Sequence, residues 1–173
     1  MLLNLITSMD GILMEIETKL NVPAGFPYAG KVFLLQSLAE GKFLLSNGFV
    51  IEALADQIDK NCLFQLVALP TNEIKIFSIA KQMFVSAIGP TRQLAARVQD
   101  ERWSRFTIEY LEAIGAFTIK SSHPSAAASP YVSVVGPGRN LYVCDAAPQQ
   151  GWSYFQPFVP TGMPATNVDQ FMP

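Results

Sequence analysis

The side chains best suited to chemistry in this sequence gather around its single histidine. His123 lies in Ser121-Ser122-His123-Pro124-Ser125. With Ser122 or Ser125 as nucleophile and Asp145 as orienting carboxylate, it could complete a hydrolytic triad, the imidazole taking the hydroxyl proton. The surroundings argue against this, because the chain has no nucleophile-elbow sequence of the form G-x-S-x-G and the serines stand in a proline-punctuated stretch. One histidine also excludes a multi-histidine metal centre within one chain. No catalytic residue, metal or cofactor is therefore expected.

Other constellations read as structural. Gly136-Pro137-Gly138-Arg139-Asn140 could offer backbone N–H groups and an arginine to an anion. Its flanks are strand-like, however, and Pro137 supplies no N–H, so a hairpin turn is expected. Asp100 with Glu101, and Glu109 with Glu112, could act as carboxylate pairs, but neighbouring arginines make them ion-pair partners. Arg102-Trp103-Arg105 mixes cationic and aromatic side chains as single-strand binders do; beside Asp100 and Glu101 it predicts no nucleic-acid contact. Cys62 and Cys144 are too few for a disulfide framework and read as buried, reduced thiols.

The composition bounds what must position these groups. The chain has 173 residues, half of them hydrophobic and only 15% charged, with a formal net charge of −2. That charge gives no electrostatic reason to bind phosphate backbones. The apolar start, Met1 to Ile6, lacks the basic region of a signal peptide, and no apolar run approaches the ~18 residues of a membrane span. Cytoplasmic synthesis without a signal peptide, and no membrane span, are expected.

Apolar residues at Leu2, Leu5, Ile6, Met9, Ile12, Leu13, Ile16 and Leu20 predict an amphipathic helix, closed by a proline- and glycine-rich loop over 22–30. Short helices are expected within 31–41 and over 49–60, the second from Val50, Leu54 and Ile58, although a hairpin about Asn47-Gly48 is the alternative. Cys62 to Leu69 reads as a buried strand paired with a returning strand at Ile74 and Ile76, followed by a short helix over Ala80–Ile88. Leu94, Val98, Phe106, Tyr110, Leu111 and Ile114 then predict one long amphipathic helix over about 91–114. Residues 116–120 read as a strand. The fold class expected is α+β: a helical N-terminal part, short antiparallel hairpins, the long helix, and an extended C-terminal arm.

The character of the chain changes after residue 120. Residues 1–120 hold 23 of the 26 charged side chains and are read as the core domain; 121–173 hold Arg139, Asp145, Asp169 and eight of the twelve prolines. Residues 121–130 read as a linker and 131–145 as a β-hairpin packed on the core or a neighbour. Residues 146–173 read as an extended arm, too rich in proline for helix or central strand. An arm carrying Trp152, Tyr154, Phe155, Phe158, Val159, Met163, Phe171 and Met172 cannot shield its own apolar groups, which places these residues at an inter-subunit contact.

The function expected on these grounds is non-enzymatic: a structural subunit of a symmetric assembly, such as a viral particle, tail or shell, located in the virion. Its partners would be copies of itself or other subunits. The alternative is a small-ligand or peptide-binding module with the arm folded back as a lid.

Overall fold

The computed structural model describes residues 5–7, 13–17, 30–89, 91–98, 102–111, 113–160, 162–163 and 167. It is built of antiparallel strands. They are β1 (Leu5–Thr7), β2 (Leu13–Glu17), β3 (Val32–Ser37), β4 (Phe43–Asn47), β5 (Val50–Ala55), β6 (Phe64–Ala68), β7 (Ile74–Ser78), β8 (Met83–Ile88), β9 (Gln93–Val98), β10 (Phe106–Leu111), β11 (Ala116–Ser121), β12 (Tyr131–Val135), β13 (Asn140–Asp145) and β14 (Phe155–Pro160). The helical elements among the described residues are short 3-10 turns at Lys60–Cys62, Arg102–Ser104, Pro124–Ala126 and Gln150–Ser153.

Strands β3 to β14 form one antiparallel sheet, which β2 and then β1 extend along β14. Six of them, β3, β6, β7, β10, β11 and β14, pair in that order, and β14 pairs back on β3 with Phe155 opposite Ser37 and Pro157 opposite Leu35. That closes a six-stranded barrel. The hairpins β4–β5, β8–β9 and β12–β13 join one another through β5–β9, β9–β13 and β13–β5, making a three-hairpin cap.

The chain thus passes three times through one plan: a barrel strand, a cap hairpin, a 3-10 turn and a second barrel strand, in β3–β6, β7–β10 and β11–β14. The equivalence extends to single bonds. Phe33 faces Phe64, Ile74 faces Phe106 and Phe117 faces Phe155 in the barrel ladder. Each cap hairpin shifts register at the same place, between Phe43 and Leu44, Phe84 and Val85, and Tyr131 and Val132. The repeats are stitched by Ile79 N–H to Leu63 O (3.1 Å), Ser122 N–H to Arg105 O (3.0 Å) and Leu38 N–H to Tyr154 O (3.0 Å). The hairpin tips are joined by Ala96 N–H to Phe49 O (2.7 Å), Val143 N–H to Arg92 O (3.1 Å) and Ala53 N–H to Arg139 O (2.9 Å). A closed six-stranded barrel with a three-hairpin cap and threefold internal symmetry is the β-trefoil architecture.

The core follows the same symmetry. Leu35, Ile76 and Ile119 from the first strands, Phe64, Phe106 and Phe155 from the fourth, and Ile51, Leu94 and Leu141 from the cap lie in one buried cluster. Fully burying each phenylalanine contributes about 1.5–3 kcal/mol, and closure removes the unpaired edges an open sheet would expose.

The α+β expectation is therefore corrected. Where described, the segment 2–20 forms β1 and β2, paired with Leu5 opposite Glu15; the rest of it, and the loop over 22–29, lie outside the described residues. The helices expected within 31–41, over 49–60 and over 80–88 are β3, β5 and β8. The long helix over 91–114 is β9, a 3-10 turn and β10. Its i,i+4 stripe was a coincidence of two strands, β9 buried over Leu94–Ala96 and β10 half-buried, and the charges assigned to helical pairs reach across strands instead: Glu109 accepts from Lys120 at 2.6 Å, and Arg105 lies 3.6 Å from Glu73. At Asn47-Gly48 the hairpin alternative is the observed structure, with Gly48 at φ +59°, a conformation that glycine adopts without a Cβ clash.

The strands at 62–69 and 74–76, their mutual pairing, the strand at 116–120 and the hairpin about 136–139 are present as β6, β7, β11 and β12–β13. Residues 121–130 form a loop that buries Ala126 completely. Residues 155–160, within the segment read as an extended arm too rich in proline for a central strand, are the barrel strand β14, paired on both sides. An antiparallel ladder directs alternate N–H groups to each neighbour, so proline is tolerated in a strand wherever its missing N–H faces no partner.

Candidate functional site

Each repeat meets the next at a junction made of the 3-10 turn, the first residues of the fourth strand, the hairpin tip and the loop after the following first strand. The threefold bonds above fix which residues correspond. Glu73 stands where the other repeats have Val32 and Ala116; Arg105 where they have Leu63 and Tyr154; Ser122 where they have Leu38 and Ile79. The last residue of the set, Arg102, replaces Lys60 and Gly151, each of which accepts the same turn hydrogen bond at 3.3–3.4 Å. Charged and hydroxylic side chains thus replace mainly apolar or small ones at one junction, between the second and third repeats.

There they line a cleft of about 330 Å³ with Pro124. Glu73 Oε2 accepts from Thr71 Oγ1 at 2.7 Å and lies 3.6 Å from the Arg105 guanidinium. The Thr71 hydroxyl holds the Glu73 carboxyl below its ordinary range; Ser122 and Arg105 act in the same direction, against partial desolvation. The Ser122 hydroxyl leans on Glu73 only weakly, short of a well-formed hydrogen bond. Among the described residues, Ser122 Oγ and Arg105 Nε are buried with no hydrogen-bond partner.

Beside the lining residues in sequence stands an aromatic pair. Trp103 and His123 stack with ring centroids 3.7 Å apart and planes 7° from parallel, and the Arg92 guanidinium lies 5.5 Å from the Trp103 ring centre. Arg92, at φ +55°, donates to the Ser125 carbonyl at 2.8 Å. The arrangement recurs one junction on, where Arg139, at φ +52°, lies 5.4 Å from the Trp152 ring centre and is paired with Glu40 at 3.1 Å. There Gly151 lies so close to Ala39 that an added Cβ would come within 3.0 Å of its backbone. At the remaining junction the corresponding residues are Phe49 and Asn61.

The residues of the hydrolytic triad are not brought together. His123 Nδ1 accepts from the Ser125 N–H at 3.1 Å, capping its own turn, while Asp145 accepts from Ser133, whose hydroxyl also meets that of Ser153 at 2.6 Å. Gly136-Pro137-Gly138-Arg139 is the tip of β12–β13. Glu109 pairs with Lys120, and Asp100, Glu101 and Glu112 lie outside the described residues. Cys62 is buried and Cys144 exposed, both free. Desolvation first, with the nearby charges of Asp59 and Asp145 respectively, pushes each thiol up to about 11.

Of the arm residues, Phe155 is fully buried in the chain's own core, and half-buried Phe158 meets Phe43 edge-on at 5.5 Å. Tyr154 and Val159 are half-buried, Trp152 and Met163 exposed, and Phe171 and Met172 lie outside the described residues. Among the described residues no three His, Cys, Asp or Glu side chains gather as a metal site would require, and no helix is long and apolar enough to cross a membrane.

No protein-family model matches the chain, and no curated protein is significantly similar to it in sequence. Functional reading rests on the site itself.

Proposed function

We propose that the chain is a binding module that holds a small polar ligand in the cleft between its second and third repeats. The observation that carries this reading is the substitution of Glu73, Arg105 and Ser122 into positions that the other two repeats fill with Val32 and Ala116, Leu63 and Tyr154, and Leu38 and Ile79. The scaffold closes without polar groups there, as its own other repeats demonstrate. Burying a donor unpaired costs about 1–3 kcal/mol, and such costs are typical of sites kept for binding rather than stability.

A variant that restores the repeat pattern, Glu73→Val with Arg105→Leu and Ser122→Leu, tests this. It is expected to fold with equal or higher thermal stability, because the cluster is only partly buried and apolar replacement of such polar groups is often neutral or stabilising. It should also lose every ligand-induced stabilisation found for the natural chain in a panel of small polar solutes. Ligand responses unchanged by the triple substitution would refute the reading.

A second reading, a subunit of a larger assembly, draws support from the apolar side chains exposed in the cap, with Phe49 at 52% and Val135 at 43% exposure. Light scattering on the natural chain and on Phe49→Ser with Val135→Ser tests it. A concentration-dependent oligomer that the double variant loses would favour assembly, and a monomer at all concentrations would count against it.

A further inference from the structure

Resting on that reading, we infer that the ligand of this cleft presents an oxyanion, a carboxylate, sulfate or phosphate group, to Arg102, Arg105 and Ser122. The unpaired groups there are donors. Arg105 Nε–H can only donate, and Ser122 Oγ–H can donate beside it; both are buried without a partner among the described residues. Arg102 lines the same cleft, is exposed, and makes no ion pair with any described residue. Among the described residues, two guanidinium groups and one carboxylate, Glu73, line the cleft. That carboxylate already has the Thr71 hydroxyl and lies opposite Arg105 Nη1 at 3.6 Å, which leaves the Nε edge of Arg105 free.

The guanidinium groups of Arg102 and Arg105 and the hydroxyl of Ser122, carried by residues that line one cleft, match the acceptor oxygens of an oxyanion, and hydrogen bonds of this charge-assisted type are about twice as strong as neutral ones. A neutral polyol would satisfy the donors but offer the Arg102 guanidinium no opposite charge. A free cation would face two like charges.

The internal repeat supplies the control. The junction between the third and first repeats keeps an arginine–tryptophan pair, Arg139 with Trp152, yet its arginine is already neutralised by Glu40 at 3.1 Å, and Gly151 and Tyr154 replace Arg102 and Arg105. It has the arginine–tryptophan pair without the donor set. The oxyanion response should therefore be confined to one junction.

The experiment is an NMR titration of the full chain, following the Arg105 Nε–H and Ser122 amide signals. Separate arms use inorganic phosphate, sulfate, acetate and methyl phosphate, with a neutral hexose as the uncharged arm and sodium chloride at matched ionic strength as the reference. The expected result is a saturable shift of both signals with one or more oxyanions, absent at the amides of Leu38 and Trp152, and weakened roughly tenfold or more in Arg102→Gln, whose exposed position spares the fold. A preference for methyl phosphate or acetate over the inorganic ions would mark the oxyanion as a group on an organic ligand; the reverse would mark a free ion. Shifts that also follow sodium chloride, or that persist unchanged in Arg102→Gln, would overturn the inference. If the hexose shifts these signals and the oxyanions do not, the oxyanion inference fails while the binding site stands. If no arm shifts them, both fall.

Discussion

His123 lies flat on Trp103, their ring centroids 3.7 Å apart, and so joins the loop after β11 to the 3-10 turn before β10. Trp103 and His123 each stand next in sequence to a residue that lines the cleft, Arg102 and Ser122, and the partner across the internal symmetry, Trp152, has Ala39 at the position of His123. Replacing His123 with alanine is expected to cost about 0.5–1.5 kcal/mol, the usual worth of an aromatic pair beyond its buried area. For a chain of this size that lowers the thermal midpoint by about 1–6 °C. Tryptophan emission in a Trp152→Phe background should shift to the red as Trp103 gains solvent. An unchanged midpoint and emission maximum would show that the stack contributes nothing.

Phe155 decides what happens when the tail is removed. Its side chain is fully buried among the barrel core residues, and its strand closes the barrel between β11 and β3. Truncation after residue 153 should therefore unfold the protein instead of releasing a soluble, arm-less form. Phe155→Ala should cost about 3–5 kcal/mol, the range for a large aromatic removed from a packed core, as should Phe64→Ala and Phe106→Ala at the equivalent positions. Chemical denaturation of the three variants measures this. A truncated chain with a cooperative unfolding transition near that of the natural one would contradict it.

Parts of this fold were legible in the sequence, for reasons that separate its strands into two kinds. The pair β6–β7 could be read because Pro70-Thr71-Asn72 marks the turn and Ile74-Lys75-Ile76 alternates; β12–β13 because β-branched runs flank a glycine-proline turn. In β9, by contrast, Leu94-Ala95-Ala96 is buried on both faces and composed partly of strong helix formers, so its local preference opposed its place in the sheet. The internal repeat was also visible. Trp103-Ser104-Arg105-Phe106 and Trp152-Ser153-Tyr154-Phe155 share W-S-x-F, and Asn61-Cys62-Leu63-Phe64 keeps the small-x-Phe half, about 40–50 residues apart. Reading it would have set Arg105 against Leu63 and Tyr154 and exposed the candidate site, which no single-residue motif announces.

Cys144 tests whether exposure alone makes a thiol reactive. It lies on the surface, yet desolvation and the adjacent Asp145 charge push it up to about 11. At pH 8 almost no thiolate is present, and the thiolate is the nucleophile. Alkylation by iodoacetamide should therefore run on the order of a hundredfold slower than for a free cysteine, and should accelerate in denaturant. Labelling of the folded protein at the free-cysteine rate would show that the thiol is not shifted.

Glu73 should link stability and ligand binding with opposite signs. Its carboxyl is held below the ordinary range, first by the Thr71 hydroxyl and then by Ser122 and Arg105. A carboxylate lowered on folding contributes stability that is fully present above its unfolded value and is lost as pH falls through the lowered folded value. Glu73→Gln keeps an acceptor for Thr71 but removes the charge. The thermal midpoint of the natural chain should therefore exceed that of Glu73→Gln at neutral pH, and the difference should shrink as pH falls below the usual glutamate range. Removing the same charge takes from Arg105 the carboxylate 3.6 Å away, so the variant should bind oxyanions several-fold more tightly while being less stable. A midpoint difference independent of pH would remove the carboxylate from the stability argument. Weaker oxyanion binding in Glu73→Gln would instead place Glu73 among the groups that hold the ligand.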